Sequence, residues 1–214
     1  MTLPAKLKAN IEAALKSKKG SRIIVGIAGP PGSGKSTLSS LLLEDYEKVK
    51  PGMAKIVPMD GFHLSNEKLE ELGLLSLKGI PDSFDAAGFV RLMDRLKGSR
   101  EIRIPFPLFD RSIEKVIPDG DFVDQENKLL IVEGNYLLYD KIPWNQIQHY
   151  LDYSIYLDAG EDILFPRLLE RHKEGGKSEK EAEEKVLSTD IPNARLVARS
   201  KEKADYILTH DWSL

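Results

Sequence analysis

The stretch SRIIVGIAGPPGSGKSTLSSLLLEDYEKV, residues 21–49, limits what this chain can fold into more than any other. Its first part is a continuous run rich in Ile and Val, the pattern of a strand buried on both faces of a parallel sheet. A glycine-rich turn follows at once. Leu38, Leu41, Leu42 and Tyr46 then recur at helical spacing until Pro51-Gly52 ends the run. Strand, glycine loop and helix in that order open a βαβ unit. The loop, GPPGSGKST from Gly29 to Thr37, fills every fixed position of G-x-x-x-x-G-K-[ST] in the required context. Gly29, Gly32 and Gly34 keep side chains away so that backbone N–H groups can approach a phosphate, and Pro30, Pro31, Ser33 and Thr37 complete the loop. Lys35 adds a point charge at the β- and γ-phosphates. Ser36 presents a hydroxyl to Mg²⁺, and the helix starting there aims its positive end at the anion. The expected cofactors are ATP and Mg²⁺.

Strand-like runs recur at AKIVPM (54–59), KLLIVEGNYLL (128–138), YSIYLD (153–158) and ADYILTH (204–210). Helical patterns lie between them, in SNEKLEELGLL (65–75), in DAAGFVRLMDRLKG (85–98) with Asp85 as N-cap and Gly98 as stop, and in two charged segments at 161–176 and 178–188. Strands alternating with helices predict an α/β fold with a parallel sheet covered on both faces. Leu3, Leu7, Ile11, Ala14 and Leu15 predict a first helix that ends at Gly20. The span 100–120, broken by Pro105, Pro107 and Pro118, is expected to form edge strands and loops outside the core. Pro166 is expected to kink its helix or mark its true start.

At 214 residues one domain, 1–214, is the default, with residues 1–20 as an N-terminal helix. A net charge of −3, from 31 basic and 34 acidic residues, gives no broad attraction for nucleic acid. The absence of cysteine excludes disulfides, thiolate metal sites and thiol nucleophiles. No apolar run is long enough for a membrane helix and the N-terminus lacks a signal-peptide core, so a cytoplasmic protein with small-molecule partners is expected. Nothing in the sequence decides between monomer and homodimer.

Three uses of a bound nucleotide compete. A guanine-dependent switch needs N-K-x-D, but NKLL has Leu130 at the aspartate position; DAAG at 85–88 formally matches D-x-x-G, yet a helix N-cap explains Asp85 better. A motor or regulatory ATPase acting on a protein partner stays open as the alternative. A small-molecule kinase needs an acid near Mg²⁺, a base for the acceptor hydroxyl and cations over the moving phosphoryl group. Glu133, at the end of an apolar strand, is placed to help hold Mg²⁺. Arg167 and Arg171, four apart on one helical face, either clamp phosphates or pair with nearby glutamates. Gly175-Gly176 suits a hinge. Asp60-Gly61 resembles a hairpin turn, but no partner strand follows it. Ending a buried strand, Asp60 is better placed as a base.

The succession GPPGSGKST, PMDGFHL, PDSFD, LFDR, VEGNYLL, RLLERH and DIPNARLV, from Ser21 onward, resembles the P-loop small-molecule kinases of the uridine kinase, phosphoribulokinase and pantothenate kinase superfamily. It is most similar to the branch described as fructose-transport-system-kinase-like or uridine-kinase-like. The resemblance implies a P-loop NTPase fold with a five-stranded parallel sheet and a helical lid, here about residues 161–190, carrying phosphate-contacting arginines. It implies that Asp60 accepts the acceptor's proton or helps organise Mg²⁺, and that His63, Asp82, Phe84 and Arg111 serve the acceptor; Phe62, beside Asp60, is expected to mark where the acceptor lies. From the residues alone, His63 could equally be a satisfied polar residue, Phe62 and Phe84 core or pocket wall, and Arg111 half of a surface pair with Asp110. PLFDR lacks the tyrosine-histidine pattern with which uridine kinases read a pyrimidine. The expected reaction is transfer of the γ-phosphate of ATP to a hydroxyl of a nucleoside-, sugar- or pantothenate-like metabolite, with Asp60, Lys35, Arg167 and Arg171 catalytic and Ser36, Glu133 and Asp60 around the metal. Asp190, Asn193 and Arg195 fall on the nucleotide side or the lid.

Overall fold

A computed structural model of the chain describes residues 2–18, 20–99 and 101–211. Helix α1, Ala5–Ser17, buries Leu7 and Ile11, four residues apart, beneath strand β1, Ile23–Ala28, whose positions are all buried. The glycine loop leads into α2, Lys35–Val49, and β2, Ala54–Pro58, follows. Short α3, Asn66–Glu71, starts at Ser65, whose side chain accepts from the Lys68 N–H. Helix α4, Ala86–Gly98, starts at Asp85, which accepts from the Gly88 N–H at 2.8 Å, so the N-cap explains this aspartate. Strands β3, Arg103–Asp110, and β4, Lys115–Asp124, precede β5, Leu129–Gly134, and β6, Tyr153–Asp158. Helices α5, Glu161–Glu174, α6, Glu179–Lys185, and α7, Ile191–Ala198, lead to β7, Tyr206–Thr209.

The five-stranded sheet is parallel throughout, in the order β2-β5-β1-β6-β7. Alternation along β1 divides the interior. Ile23, Val25 and Ile27 face α1 and α2, whereas Ile24 and Ala28 face the layer that contains α4 and Trp144. Register places both Ile27 of β1 and Pro58 of β2 beside Glu133 of β5. The glycine loop, Asp60 and Glu133 therefore leave the sheet at one rim. Among the described residues no helix is long and apolar enough to cross a membrane.

Three local expectations change. Residues 103–124 form a two-stranded antiparallel ribbon with a register shift between Phe106 and Leu108. Its inner face joins the core: Ile104, Phe106 and Val123 are buried against α4 and the sheet. The prolines are tolerated because Pro107 falls at the irregularity and a two-stranded ribbon has free edges. Pro166 does not mark the start of its helix, since α5 begins at Glu161 and runs through it. The proline and Asp162, whose carbonyl loses its donor, are both exposed, so water can satisfy that oxygen. Finally, α6 continues into α7 through a π-helical turn, Val186–Asp190, just before Pro192. Proline supplies no N–H to the carbonyl four residues earlier and crowds it, and a widened turn relieves that conflict.

Asp60-Gly61 joins no two strands. It lies in a 3₁₀ turn, Met59–Phe62, that packs under the ribbon. A Cβ at Gly61 would fall on the Pro107 carbonyl, so the side-chain hydrogen is what allows β3 to close over the turn. Gly61→Ala is expected to cost about 1–3 kcal/mol, read as a lowered urea midpoint with an unchanged slope.

Candidate active site

The glycine loop returns the chain from β1 into α2 with Gly34 at φ 100° and ψ 19°, left-handed backbone that favours glycine. No side chain caps the start of α2, so its first N–H groups are free for an anion. Inside the turn Lys35 is buried, 8% exposed, with its Nζ donating to the Pro30 carbonyl at 2.8 Å. Burial lowers its pKa to about 8; Glu133 and Asp60 oppose that shift and Arg171 and Arg111 add to it. Ser33 is buried in the same loop, and its Oγ has no partner among the described residues. An orphan hydroxyl, a buried ammonium and uncapped N–H groups converging on one point suit a polyphosphate.

Ser36, the next residue of α2, donates from Oγ to Glu133 Oε1 at 3.2 Å. The Glu133 pKa is raised, first by burial and then by the Asp60 charge, against the pull of Lys35. Asp60 in turn receives a bond from Arg111 Nη2 at 2.7 Å, delivered from the end of the β3–β4 ribbon. A hydroxyl and two carboxylates are hard oxygen donors suited to Mg²⁺. Among the described residues no group of three or more His, Cys, Asp or Glu could by itself hold a metal ion.

These groups line a cleft of about 1390 Å³ that also reaches His63, Phe84, Arg167 and Arg171. Phe84 is buried and stacks on the His63 ring at 4.0 Å between centroids, with Phe109 at 5.0 Å on another side. Burial is the main reason that the His63 pKa falls to about 4, so the ring stays neutral at physiological pH. Its Nδ1 is buried without a partner. Arg167 sits over the glycine loop, Nη1 to the Gly32 carbonyl at 3.4 Å. Arg171 keeps solvent access, yet desolvation by the cleft walls and the charge of Arg111 lower its pKa.

Two proposed acceptor residues are not brought to the cleft. Phe62 turns into the core, edge-on to Phe89 at 5.1 Å. Asp82 is exposed on a 3₁₀ turn, Pro81–Ser83. Arg195 is also engaged elsewhere, with both its bonds to Glu161, at 2.6 and 2.8 Å. Asp190, on the π turn, meets His172 of α5 at 2.6 Å, and Asn193 donates to the Gly79 carbonyl at 2.6 Å. That carbonyl also accepts from the buried Tyr136 hydroxyl at 2.5 Å. Sequence reasoning missed Lys78, Phe109, Asn135 and Lys185, all of which line the cleft. Asn135 and Phe109 had a signal, in VEGNYLL and LFDR, but Lys78 and Lys185 sit in segments without a motif.

With Lys35 near pH 8, capture of ATP by the free enzyme is present below that value, where the amine is charged, and declines above it. The profile of kcat/KM for ATP should show an alkaline inflection near pH 8. A profile that stays flat to about pH 10, the ordinary lysine value, would contradict this.

The defining pattern of the Phosphoribulokinase / Uridine kinase family matches residues 24–210. A Schizosaccharomyces pombe protein provisionally named a uridine kinase is 34% identical over 194 residues, covering 87% of this chain and 83% of its own. The pantothenate kinase of Yersinia pestis is 32% identical over 148 residues, which cover 66% of this chain and 46% of that one. A crystal structure from Silicibacter sp. TM1040, provisionally described as a fructose transport system kinase, superposes with a TM-score of 0.87 at 38% identity, over 97% of this chain and 99% of its own. The chain belongs to the phosphoribulokinase and uridine kinase family, and with it to the ATP-dependent kinases of small molecules.

Proposed function

We propose that the chain transfers the γ-phosphoryl group of ATP directly to a hydroxyl of a small metabolite, with Asp60 as the general base. The observation that carries this reading is the convergence of Lys35, Ser36, Asp60 and Glu133 at the carboxyl ends of three adjacent strands. The acceptor hydroxyl gives its proton to Asp60 while its oxygen forms a bond to the γ-phosphorus. The bond from that phosphorus to the β,γ-bridging oxygen breaks, and the electron pair leaves on ADP. Arg111 orients the Asp60 carboxylate through their 2.7 Å contact. Lys35 holds the β- and γ-phosphates, and Arg167 and Arg171 reach over the transferring group from α5. Ser36, Glu133 and Asp60 would hold Mg²⁺, which when bound neutralises charge on the β- and γ-oxygens.

Helices α5 to α7 act as a lid in this account. They pack around their own small apolar cluster of Leu164, Leu168, Val186, Ile191 and Ala194. Gly176 at φ 89° follows α5, where a hinge would sit. The neutral His63 ring, between Phe84 and Phe109, provides an apolar wall with one hydrogen-bonding atom for the acceptor. The aromatic wall beside Asp60 favours a metabolite over a protein partner.

Asp60→Asn removes basicity at nearly constant shape. It should lower kcat by about 10²–10⁴-fold while ATP affinity, measured by calorimetry, is retained. Acceptor-dependent turnover at the wild-type rate in that variant would rule out Asp60 as the base.

A further inference from the structure

Phosphoryl transfer does not use all the positive charge in the cleft. Lys35, Arg167 and Arg171 serve the nucleotide, and Arg111 is committed to Asp60. Three further ammonium groups, those of Lys78, Lys177 and Lys185, line the same space, and Lys185 is bonded to the loop that carries Lys78. Lys78 follows the 3₁₀ turn Leu75–Leu77, and its side chain is only 17% exposed. Its Nζ donates to Asn66 Oδ1 at 2.9 Å and lies 5.1 Å from the centre of the Phe109 ring, the ring that also flanks His63. Lys185, at the end of α6, points its Nζ back at the carbonyls of Ser76 and Lys78, at 2.9 and 3.0 Å.

These partners are an amide oxygen, two peptide carbonyls and a ring face. Dipoles of this kind fix an ammonium in place without cancelling its charge. Carboxylates nearby offset the charge of the pair only in part. Glu114 approaches Lys78 only to 3.9 Å, from the exposed ribbon tip. Asp190 is held by His172, and Glu181 closes a capping box with Ser178. Burial lowers the Lys185 pKa; the charges of Asp190 and Glu114 oppose that shift, and those of Lys177 and Lys78 add to it. Keeping like charges together, half-buried and only partly compensated, costs stability that a bound anion would recover. Each ammonium also retains at least one N–H donor not engaged by these bonds.

We propose that Lys78 and Lys185 form an anion subsite, and that the acceptor is a hydroxylated metabolite bearing its own carboxylate or phosphate. This rests on the phosphoryl-transfer reading above. The anionic group lies between the two ammonium groups, the carbon skeleton packs on the wall of His63, Phe84 and Phe109, and the hydroxyl reaches Asp60. A neutral nucleoside or free sugar leaves both lysines unpaired, and the site discriminates against it.

Matched pairs that differ in the anion test this, with ADP release and product mass as readouts: glycerol against glycerate, pantothenol against pantothenate, ribose against ribose 5-phosphate. Turnover is expected with at least one anionic member and at least about tenfold less, in kcat/KM, with its neutral partner. The first two pairs report a carboxylate and the third a phosphate. Lys78→Met should raise the acceptor KM about tenfold or more and leave the KM for ATP within about twofold. Lys78→Arg should recover most of that loss, and Lys185→Met should repeat the effect from the other side. Equal use of a neutral partner, or no anionic member phosphorylated, would overturn the subsite. If a neutral compound is phosphorylated, the kinase reading survives; if no compound stimulates ADP release and Asp60→Asn changes nothing, both fall.

Discussion

The arrangement at the strand ends depends on one buried positive charge, the Lys35 ammonium, enclosed by a loop that has almost no side chains. A buried ammonium is expensive, and burial is the main reason that its pKa falls to about 8. The fold offsets part of it with the Pro30 carbonyl and the nearby charges of Glu133 and Asp60. The rest is left to be supplied by phosphate. The same carboxylates are close enough together for the Asp60 charge to raise the pKa of Glu133. Strand register thus gathers charges of both signs at one rim, an arrangement that suits a cation and a polyphosphate.

Two appended structures complete this rim in different ways. The β3–β4 ribbon is anchored in the core through Ile104, Phe106 and Val123, and carries Arg111 to Asp60. Helices α5 to α7 bring Arg167 and Arg171 to the cleft and are tied to the opposite wall by side chains. Asn193 reaches the Gly79 carbonyl, and Lys185 reaches those of Ser76 and Lys78. The 3₁₀ turn bearing Lys78 is therefore held by α6, in the same group of helices that carries Arg167 and Arg171. In the proposed reading, closing over ATP and presenting a charge to the acceptor involve the same pieces of chain.

Much of the fold was legible because its signals are local. Ile23 to Ala28 announced a buried strand, the spacing of Leu38, Leu42 and Tyr46 a helix, and Asp85 an N-cap that the structure reproduces. The place of the glycine loop between β1 and α2 could be inferred for the same reason, since the loop, Lys35 and Ser36 are consecutive. The ribbon was harder. Its prolines advertise loops, and only packing of Ile104 and Phe106 against α4 makes it part of the core. Phe62 shows the converse: adjacency to Asp60 suggested a role in the cleft, but the 3₁₀ turn rotates the ring toward Phe89. Lys78 and Lys185 lie more than a hundred residues apart, and meet only because Lys185 caps carbonyls of the loop that holds Lys78. No local pattern could report that contact.

The central claim is that the phosphoryl group passes once, straight from ATP to the acceptor, with Asp60 taking a proton and never the phosphorus. The most direct test is the stereochemical course of transfer from ATP made chiral at the γ-phosphorus with oxygen isotopes or sulfur. A single in-line displacement inverts that centre, and inversion is the result this account predicts. Retention would mean two displacements through a phosphorylated side chain, with Asp60 as nucleophile, and would contradict it.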